Sequence, residues 1–430
     1  MMKHLNLFKL LYLFVISFIL VSCGPASNTN RFAPLTTVNT AESIEKPYVI
    51  LISLDGFRHD YVNTYNPPYL SSFIEEGSQA ASLIPSFPTK TFPNHYTIAT
   101  GMYPDNHGLL ANSYYDYDKK KTYSIGNRET VVDGSFYKGT PLWVNANSTG
   151  MVTASYFFVG TEADIQGVHP TYYYNYDGKV TNQERVDQAI KWLEMTEETR
   201  PHLITLYFSD MDDTGHRYGP NNKEKIKEAL LKLDSTLGDL FDRVDSTGLP
   251  VNIVIVSDHG MAEQSIEKLI TTDTLVNDVL YNMIDNGVIL NVHPHNNEET
   301  DNIFNQLKQL ESNFTVYKTK DTPHFENVPK NKNWGPIQVI PDDGYYFSSN
   351  KSIERRKAGN QEVFGVHGYT PALKDMHGIL YAKGPAINVG SSLPSVKNIH
   401  VYPMICEILG LPVPTNVDGK LSYLKGMLQE

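Results

Sequence analysis

Cysteine is nearly absent from this sequence, and so is an excess of basic charge. Only two of the 430 residues are cysteines, Cys23 and Cys406, which excludes a disulfide framework. Lysine and arginine number 36 against 48 aspartates and glutamates, giving a net charge of −12. Nucleic-acid polymers bind preferentially to basic surfaces, so they are not expected as partners of this acidic protein. Stability must come from a large core or from bound metals.

Long apolar runs are also missing, except at the N-terminus. The apolar residues 10–20 form a run shorter than the roughly 20 residues of a membrane-spanning helix, which is typical of a signal peptide. The end of this run, Leu20-Val21-Ser22-Cys23, resembles the lipobox of bacterial lipoproteins. The resemblance implies a signal peptide over residues 1–22 and acylation of Cys23. A plain secretory signal with an incidental cysteine is the alternative.

The lipid at Cys23 would anchor the protein to a membrane of the bacterial cell envelope, in the periplasm or at the cell surface. Residues 23–44 are small and polar and predict a flexible tether. The sequence favours neither face of the envelope. It predicts no protein partner.

Three apolar runs in the remaining chain predict buried parallel strands: Tyr48–Leu54, residues 202–208 and Val251–Val256. Each run ends close to an acidic residue. Binding sites in open α/β sheets form beyond the carboxyl ends of the strands. The pattern therefore predicts an α/β fold with a central, mostly parallel sheet and a polar site at one edge.

Helical patterns with one apolar face, at residues 186–193, 226–240 and 401–409, predict helices that flank this sheet. Residues 285–345 differ, because a strand–helix–strand pattern is followed there by a polar loop. We predict a catalytic domain over residues 45–270 and 346–430. The segment 271–345 is predicted as an inserted, small α+β cap subdomain.

Three carboxylates and three imidazoles follow the predicted strands or lie in glycine-containing loops: Asp55, Asp212, Asp258, His216, His259 and His367. Each alone is weak, since an Asp-Gly pair after a strand is more often a turn. Together they supply two sets of three oxygen and nitrogen ligands, which is typical of catalytic zinc. Two metals about 4 Å apart can bridge a phosphoryl group. Manganese or iron fits the same ligands.

Several motifs together resemble the nucleotide pyrophosphatase/phosphodiesterase family of the alkaline phosphatase superfamily. The matching stretches are residues 53–58, 88–101, 103–108, 139–143, 212–220, 257–261 and 367–369. They extend over most of the chain after the predicted tether. The resemblance implies an alkaline-phosphatase-like fold and two zinc ions per chain.

The resemblance also assigns ligands and a nucleophile. Asp212, His216 and His367 would bind one zinc, and Asp55, Asp258 and His259 would bind the other together with the Thr91 hydroxyl. Zinc lowers the pKa of a coordinated hydroxyl, so Thr91 could attack phosphorus and form a phospho-threonine intermediate. Asp210 stands where relatives have glutamate and is not expected to bind metal. His95 and His107 are expected to make structural hydrogen bonds only.

Three further residues carry substrate-binding roles by resemblance. Asn112 would donate to a non-bridging phosphate oxygen, although a turn residue is the alternative. Phe92 and Tyr207 would sandwich a nucleobase, with plain pocket lining as the alternative. Residues 139–178 contain no lysine or arginine, whereas related monoesterases place a Lys-x-Arg pair there. This absence favours singly charged diesters.

The predicted reaction is hydrolysis of nucleotide phosphodiester or pyrophosphate bonds to nucleoside 5′-monophosphates. A second hypothesis is a phospholipid head-group diesterase, in which Tyr172–Tyr174 and Tyr176 would form an aromatic cage for a quaternary ammonium group. A third is a surface-binding lipoprotein without catalysis, which the presence of Thr91 and all six ligands disfavours. A sulfatase is disfavoured because the motif at Thr91 lacks the Cys/Ser-x-Pro-x-Arg pattern.

Overall fold

The computed structural model describes residues 36–429. Cys23, the predicted signal peptide and residues 23–35 of the predicted tether lie outside this range. The end of the tether segment is bound to the domain. The Asn39 side chain donates to the carbonyls of Glu197 at 2.9 Å and Arg200 at 2.7 Å, and Thr40 caps the short helix Ala41–Ile44. Between residues 36 and 429, no helix has the length and apolar character needed to cross a membrane.

An eight-stranded mixed sheet forms the centre of the fold. In spatial order its strands are Ser392–Leu393, Ser78–Ala80, Leu380–Lys383, Val251–Val256, Tyr48–Leu54, Leu203–Phe208, Thr153–Tyr156 and Tyr172–Tyr174. Only Leu380–Lys383 runs antiparallel to its neighbours, and the other pairs are parallel. The predicted α/β class with a mostly parallel sheet is confirmed.

The three predicted strands are neighbours, with Tyr48–Leu54 in the middle. Ser53 pairs with Tyr207 on one side and with Val256 on the other. Because the three strands are parallel and in this register, the residues that follow them reach the same edge of the sheet.

Helices cover both faces of this sheet. The longer ones are Pro68–Glu75, Thr91–Thr100, Leu142–Ser148, Asn182–Leu193, Asp210–Tyr218, Lys223–Ser246 and Val401–Leu409. The shorter ones include Tyr61–Tyr65, Pro104–His107 and Arg128–Val131. The helix Asn350–Ala358 instead contacts the strand Leu269–Thr271. Alternate side chains of the central strand serve different layers, as the period of a strand requires. Val49 and Leu51 join one apolar cluster with Val401, whereas Ile50 and Ile52 join another with Leu230.

Four antiparallel strands form a second sheet within residues 281–341. Their order is Tyr281–Asp285, Leu290–Pro294, Ile337–Pro341 and Phe314–Lys318. The helix Thr300–Lys308 contributes Ile303 to a separate apolar cluster with Leu290 and Val339. The strands before and after this helix do not pair with each other, as a simple strand–helix–strand unit would. Instead, both pair with Ile337–Pro341, which lies between them.

Four short strand pairs complete the fold. They are Leu83–Ile84 with Val396–Lys397, Ser113–Asp116 with Lys121–Ser124, Ala262–Ser265 with Val363–Val366, and Leu269–Thr271 with Tyr346–Ser348. The pair of Ala262–Ser265 with Val363–Val366 matters for the site. The first strand begins shortly after His259, and the second ends one residue before His367.

Candidate active site

The structure brings all six predicted carboxylates and imidazoles together at the edge of the main sheet. Asp55 directly follows the strand Tyr48–Leu54, and Asp258 lies two residues after the strand Val251–Val256. Asp212 lies in the first turn of the helix Asp210–Tyr218. His216 lies one helical turn after Asp212, so both side chains project from one face. His367 follows the strand Val363–Val366, which pairs with the segment after His259.

The first group, which we call the buried half, consists of Asp55, Asp258 and His259. His259 Nε2 lies 3.0 Å from Asp258 Oδ2 and 3.5 Å from Asp55 Oδ1. Each of these residues is at most 1 % exposed. Their ligand atoms lie close enough together to hold one metal ion.

The second group, which we call the open half, consists of Asp212, His216 and His367. His216 Nε2 lies 3.3 Å from Asp212 Oδ1, and His367 Nε2 lies 3.9 Å from the same oxygen. The His216 side chain is 42 % exposed and that of Asp212 is 16 % exposed. The rings of His259 and His367 stack with centroids 3.6 Å apart, so the two halves form one continuous cluster.

The hydrogen bonds of the three imidazoles prepare them as metal ligands. Each Nδ1 lies 2.8 Å from a backbone carbonyl: His216 with Gly365, His259 with Gly260, and His367 with Thr89. A carbonyl only accepts, so Nδ1 carries the hydrogen and Nε2 presents its lone pair to the cluster.

The carboxylates point to the same conclusion. Within residues 36–429, Asp55 Oδ1, Asp212 Oδ1 and Asp258 Oδ2 are buried without a hydrogen-bond donor. A buried charged oxygen without a partner is costly, and a cation removes that cost. The residues present therefore fit divalent metals. Two sets of ligand atoms lie close enough together to hold an ion: Asp55, Asp258 and His259, and Asp212 and His367 with His259 again. His216 lies 3.3 Å from Asp212 but is outside both sets, unlike its predicted role.

The pKa directions reflect this crowding. Burial raises the pKa of the Asp55 carboxyl well above its usual range, and the charges of Asp258 and Asp212 raise it further. Burial also opposes ionisation of Asp258, but positive charge on His259 and His95, when these rings are protonated, outweighs burial and holds that pKa well below its usual range. Burial lowers the pKa of His367, as does the neighbouring His259. Positive charge is what this cluster requires in order to keep all its carboxylates ionised.

Thr91 is the first residue of the helix Thr91–Thr100. Its hydroxyl lies 3.2 Å from His259 Nε2, and it lines the same cavity as Asp55 and Asp212. The structure therefore places the predicted nucleophile against the buried half.

Asn112 is held beside the nucleophile by the backbone. Its Oδ1 accepts a hydrogen bond from the Phe92 N–H at 3.1 Å. Because this bond fixes the carbonyl end of the amide, its NH2 end remains as a donor.

A cavity of about 420 Å³ opens beside Thr91, and we call it the aromatic cavity. Phe92 and Tyr207 both line it, together with Phe157 and Tyr176. The Tyr207 hydroxyl donates to Asp55 Oδ2 at 2.6 Å, which fixes the ring in the cavity wall and links that wall to the buried half.

His95 has a closer relation to the site than the sequence indicated. His107 contacts Thr97 Oγ at 3.0 Å, as expected of a structural residue. The His95 ring, however, lies behind the buried half, with Nδ1 3.3 Å from Asp258 Oδ2 and Nε2 2.8 Å from Ser53 Oγ. His95 follows Thr91 by one helical turn, and this spacing is a signal that could have found it.

Arg128 and Glu162 were also missed, and they form an ion pair in the wall of the aromatic cavity. No local sequence pattern predicts this contact, because the two residues are 34 positions apart in the chain. The absence of basic residues from 139–178 therefore does not leave the cavity without a cation. Asp210 accepts from Asn182 Nδ2 at 2.7 Å and, as expected, stays outside the cluster.

Comparisons with known proteins agree with this geometry. The family described as Type I phosphodiesterase / nucleotide pyrophosphatase matches residues 49–370. Human Bis(5′-adenosyl)-triphosphatase ENPP4 is 35 % identical over 388 residues, which cover 89 % of this chain and 82 % of that protein. Rat ectonucleotide pyrophosphatase/phosphodiesterase family member 1 is 34 % identical over 88 % of this chain and 43 % of its own length.

Solved structures of relatives share the fold. Murine ectonucleotide pyrophosphatase/phosphodiesterase 5, as an inactive threonine-to-alanine variant in complex with AMP, superposes with a TM-score of 0.82 at 29 % identity. It matches 89 % of this chain and 100 % of its own. The human protein of the same name also gives a TM-score of 0.82, at 30 % identity over 89 % of this chain and 100 % of its own. The chain therefore belongs to the type I phosphodiesterase/nucleotide pyrophosphatase family, and it is a hydrolase of phosphodiester and pyrophosphate bonds.

Proposed function

We propose that this protein is a two-zinc enzyme that hydrolyses nucleotide phosphodiester or pyrophosphate bonds and releases nucleoside 5′-monophosphates. Thr91 is the nucleophile and forms a phospho-threonine intermediate. One observation carries the proposal: the Thr91 hydroxyl lies 3.2 Å from His259, beside carboxylate oxygens that are buried without donors. A threonine in ordinary structural use has no need of such surroundings.

Asp55, Asp258 and His259 would hold one zinc, and Asp212, His216 and His367 the other. Bound zinc supplies positive charge that lowers the pKa of a hydroxyl and stabilises developing negative charge on phosphate oxygens. The protein contributes the geometry. The backbone carbonyls that bind each Nδ1 hold the imidazoles in position, and the Tyr207 hydroxyl holds Asp55.

In the first step the Thr91 hydroxyl loses its proton to solvent and its oxygen attacks phosphorus, and the bond from phosphorus to the leaving group breaks. The leaving oxygen takes the electron pair of that bond. The free NH2 end of Asn112 donates to a non-bridging oxygen, where negative charge increases in the transition state. Water then attacks the phospho-threonine, which restores the Thr91 hydroxyl and releases the monophosphate.

Nucleotides are the favoured substrates, because the aromatic cavity lies next to Thr91 and presents Phe92 and Tyr207. Stacking on aromatic rings is worth about 1–3 kcal/mol per base and tolerates any base. The AMP complex of the murine relative and the dinucleotide named for the human relative support the same class.

Three of the four tyrosines predicted for a choline cage, Tyr172–Tyr174, do not line the aromatic cavity. Tyr173 stacks on His169 and Tyr174 stacks on Tyr156, whereas Tyr176 does line the aromatic cavity. One ring from this set does not make a cage. A phospholipid head-group substrate therefore has less support than a nucleotide.

The test compares nitrophenyl thymidine 5′-monophosphate, nitrophenyl phosphate and nitrophenyl phosphocholine on the wild type, Thr91→Ala and Thr91→Ser. We expect the thymidine diester to be hydrolysed fastest. Thr91→Ala should lose at least about a thousandfold in kcat, and Thr91→Ser should keep part of the activity because it keeps a hydroxyl. Chelation should abolish turnover and zinc should restore it.

Each result can contradict a different part of the proposal. Equal activity of the wild type and Thr91→Ala would refute the nucleophile. Fastest hydrolysis of the monoester would refute the preference for diesters, and fastest hydrolysis of the phosphocholine ester would refute the nucleotide assignment. Full activity after complete removal of metal would refute the zinc requirement.

We also propose that Cys23 carries a lipid that anchors the protein in the bacterial cell envelope. The lipobox-like residues before Cys23 support this proposal. Cys23→Ser should move the protein from the membrane fraction to the soluble fraction. Cys406→Ser is the matched control, because Cys406 is buried in the core and should not affect fractionation. Membrane association that survives Cys23→Ser would refute the anchor.

A further inference from the structure

A second cavity, of about 800 Å³, adjoins the open half of the cluster, and its lining is basic. Arg217, Arg355 and Arg356 line it together with His216, and we call it the basic cavity. Three guanidinium groups around one cavity are unexpected in a chain with a net charge of −12. Asp213 also lines it, so the arginines outnumber the carboxylate in this space.

The basic cavity is built onto the metal-ligand segments. Arg217 follows His216 in the helix Asp210–Tyr218, and its carbonyl accepts from Gln361 Nε2 at 3.0 Å. Arg355 and Arg356 come from the last turn of the helix Asn350–Ala358. The chain then passes through Gln361 and the strand Val363–Val366 to the ligand His367. The backbone segments that carry the arginines are therefore connected directly to the segments that carry His216 and His367.

The arginines lack anionic partners. In the range 36–429, none of the three forms an ion pair. The Arg356 guanidinium lies 3.5 Å from the centre of the Phe364 ring, and its Nη1 donates to Gln361 Oε1 at 2.8 Å. Its Nε is buried and has no acceptor within the same range. The ring contact and the Gln361 hydrogen bond orient the Arg356 guanidinium, whose charge has no carboxylate partner.

Helix stability explains only part of this arrangement. Basic side chains in the last turn of a helix interact favourably with its dipole, and this applies to Arg355, Arg356 and Lys357 alike. It does not explain why Arg217, from another helix, faces the same cavity. Lys357 lies in the same last turn but does not line the cavity. A Lys357 variant therefore tests the effect on helix stability without changing the cavity.

We propose that the basic cavity binds the distal phosphates of the leaving group, so that substrates whose leaving group is itself a phosphate chain are preferred. The inference rests on the proposed function. An in-line displacement places the leaving oxygen opposite the Thr91 oxygen, on the side of the open half. Thr91 lines the aromatic cavity and His216 the basic cavity, so the cluster lies between the two. A nucleoside on one side and a phosphate chain on the other fit this order.

The test uses two substrates that differ only in the leaving group. Thymidine 5′-triphosphate releases pyrophosphate, whereas nitrophenyl thymidine 5′-monophosphate releases nitrophenolate, and both present the same nucleoside and phosphorus. For the triphosphate, Arg217→Ala and Arg355→Ala should each lower kcat/KM about tenfold, the usual scale for one charge-assisted hydrogen bond. Inhibition of the holoenzyme by inorganic pyrophosphate should weaken by a similar factor.

For the nitrophenyl ester the same variants should stay within about twofold of wild type, since nitrophenolate has no phosphate to bind. Lys357→Ala is the matched control and should change neither substrate. Equal losses on both substrates, or no loss on the triphosphate, would overturn the proposal. If the wild type cleaved neither substrate, or if Thr91→Ala matched it, the proposed function would fail as well. Thus the two failures are distinguishable.

Discussion

The buried half and the open half of the cluster use the same ligand types but differ in solvent access at Asp212 and His216, whereas His367 is buried. Asp55, Asp258 and His259 are enclosed at the ends of two central strands. Asp212 and His216 come from one face of a helix, and His216 is nearly half exposed. Asp55 lines the aromatic cavity and His216 the basic cavity, while Asp212 of the open half lines the aromatic cavity too.

This difference matches two chemical tasks. A nucleophile benefits from a dry and rigid environment, because fixed charges act more strongly where water is excluded. A leaving group must depart into solvent, so its side of the site has to stay open. If Thr91 attacks as proposed, the cluster is enclosed at the attacking oxygen and accessible on the side of the leaving oxygen. The predictions below test it.

The largest effect is expected from removing one ligand charge in each half, as Asp258→Asn and as Asp212→Asn. Replacing a residue that hydrogen-bonds to a metal ligand typically lowers metal affinity or activity about 10–100-fold. Loss of a ligand itself should therefore lower kcat/KM at least about a hundredfold. Elemental analysis should show the bound metal reduced from two ions to one in both variants. If either variant lost both ions, the two halves would not be independent sites.

The next prediction concerns metal release to a coloured chelator. We expect two phases of similar amplitude, a fast one from the open half and a slow one from the buried half, because solvent access controls ligand exchange. His216→Ala should remove the fast phase and leave the slow phase. A single phase in the wild type would contradict the proposed difference between the halves.

The aromatic cavity predicts a smaller effect. Phe92→Ala should lower kcat/KM for nitrophenyl thymidine 5′-monophosphate about tenfold, within the range of one lost base stack. Bis(nitrophenyl) phosphate carries no nucleoside, and its hydrolysis should change less. Phe92→Leu is the control, because it keeps most of the apolar volume and removes only the aromatic ring. Equal losses on both esters would refute base stacking.

The smallest effect is expected from the support behind the buried half. Ser53→Ala removes the partner 2.8 Å from His95 Nε2 and should lower the free energy of unfolding by about 1 kcal/mol. Urea denaturation measures this change. It should also speed the slow phase of metal release, because His95 contacts Asp258. Ser155→Ala, in the strand Thr153–Tyr156, loses two buried hydrogen bonds, to Thr161 and from Thr205, and should leave metal release unchanged.

Local sequence determined much of this protein. Val251–Val256 and Val401–Leu409 have the predicted bounds, because short apolar runs and one-faced helical patterns are properties of neighbouring residues. The acidic residue near the end of each predicted strand was also visible in the sequence. Parallel neighbouring strands then had to bring those residues to one edge. The family motifs predicted Thr91 as the nucleophile. No hydrophobic periodicity predicted that Thr91 is the first residue of a helix.

Tertiary structure alone decided the rest. The stacking of His259 on His367, the wall pair Arg128–Glu162 and the arginines of the basic cavity join segments far apart in sequence. Likewise, only the fold placed Ile337–Pro341 between two strands that the sequence suggested as partners. The physical reason is the range of the interactions. Periodicity and turn residues specify which elements form, whereas the packing of those elements specifies which side chains meet.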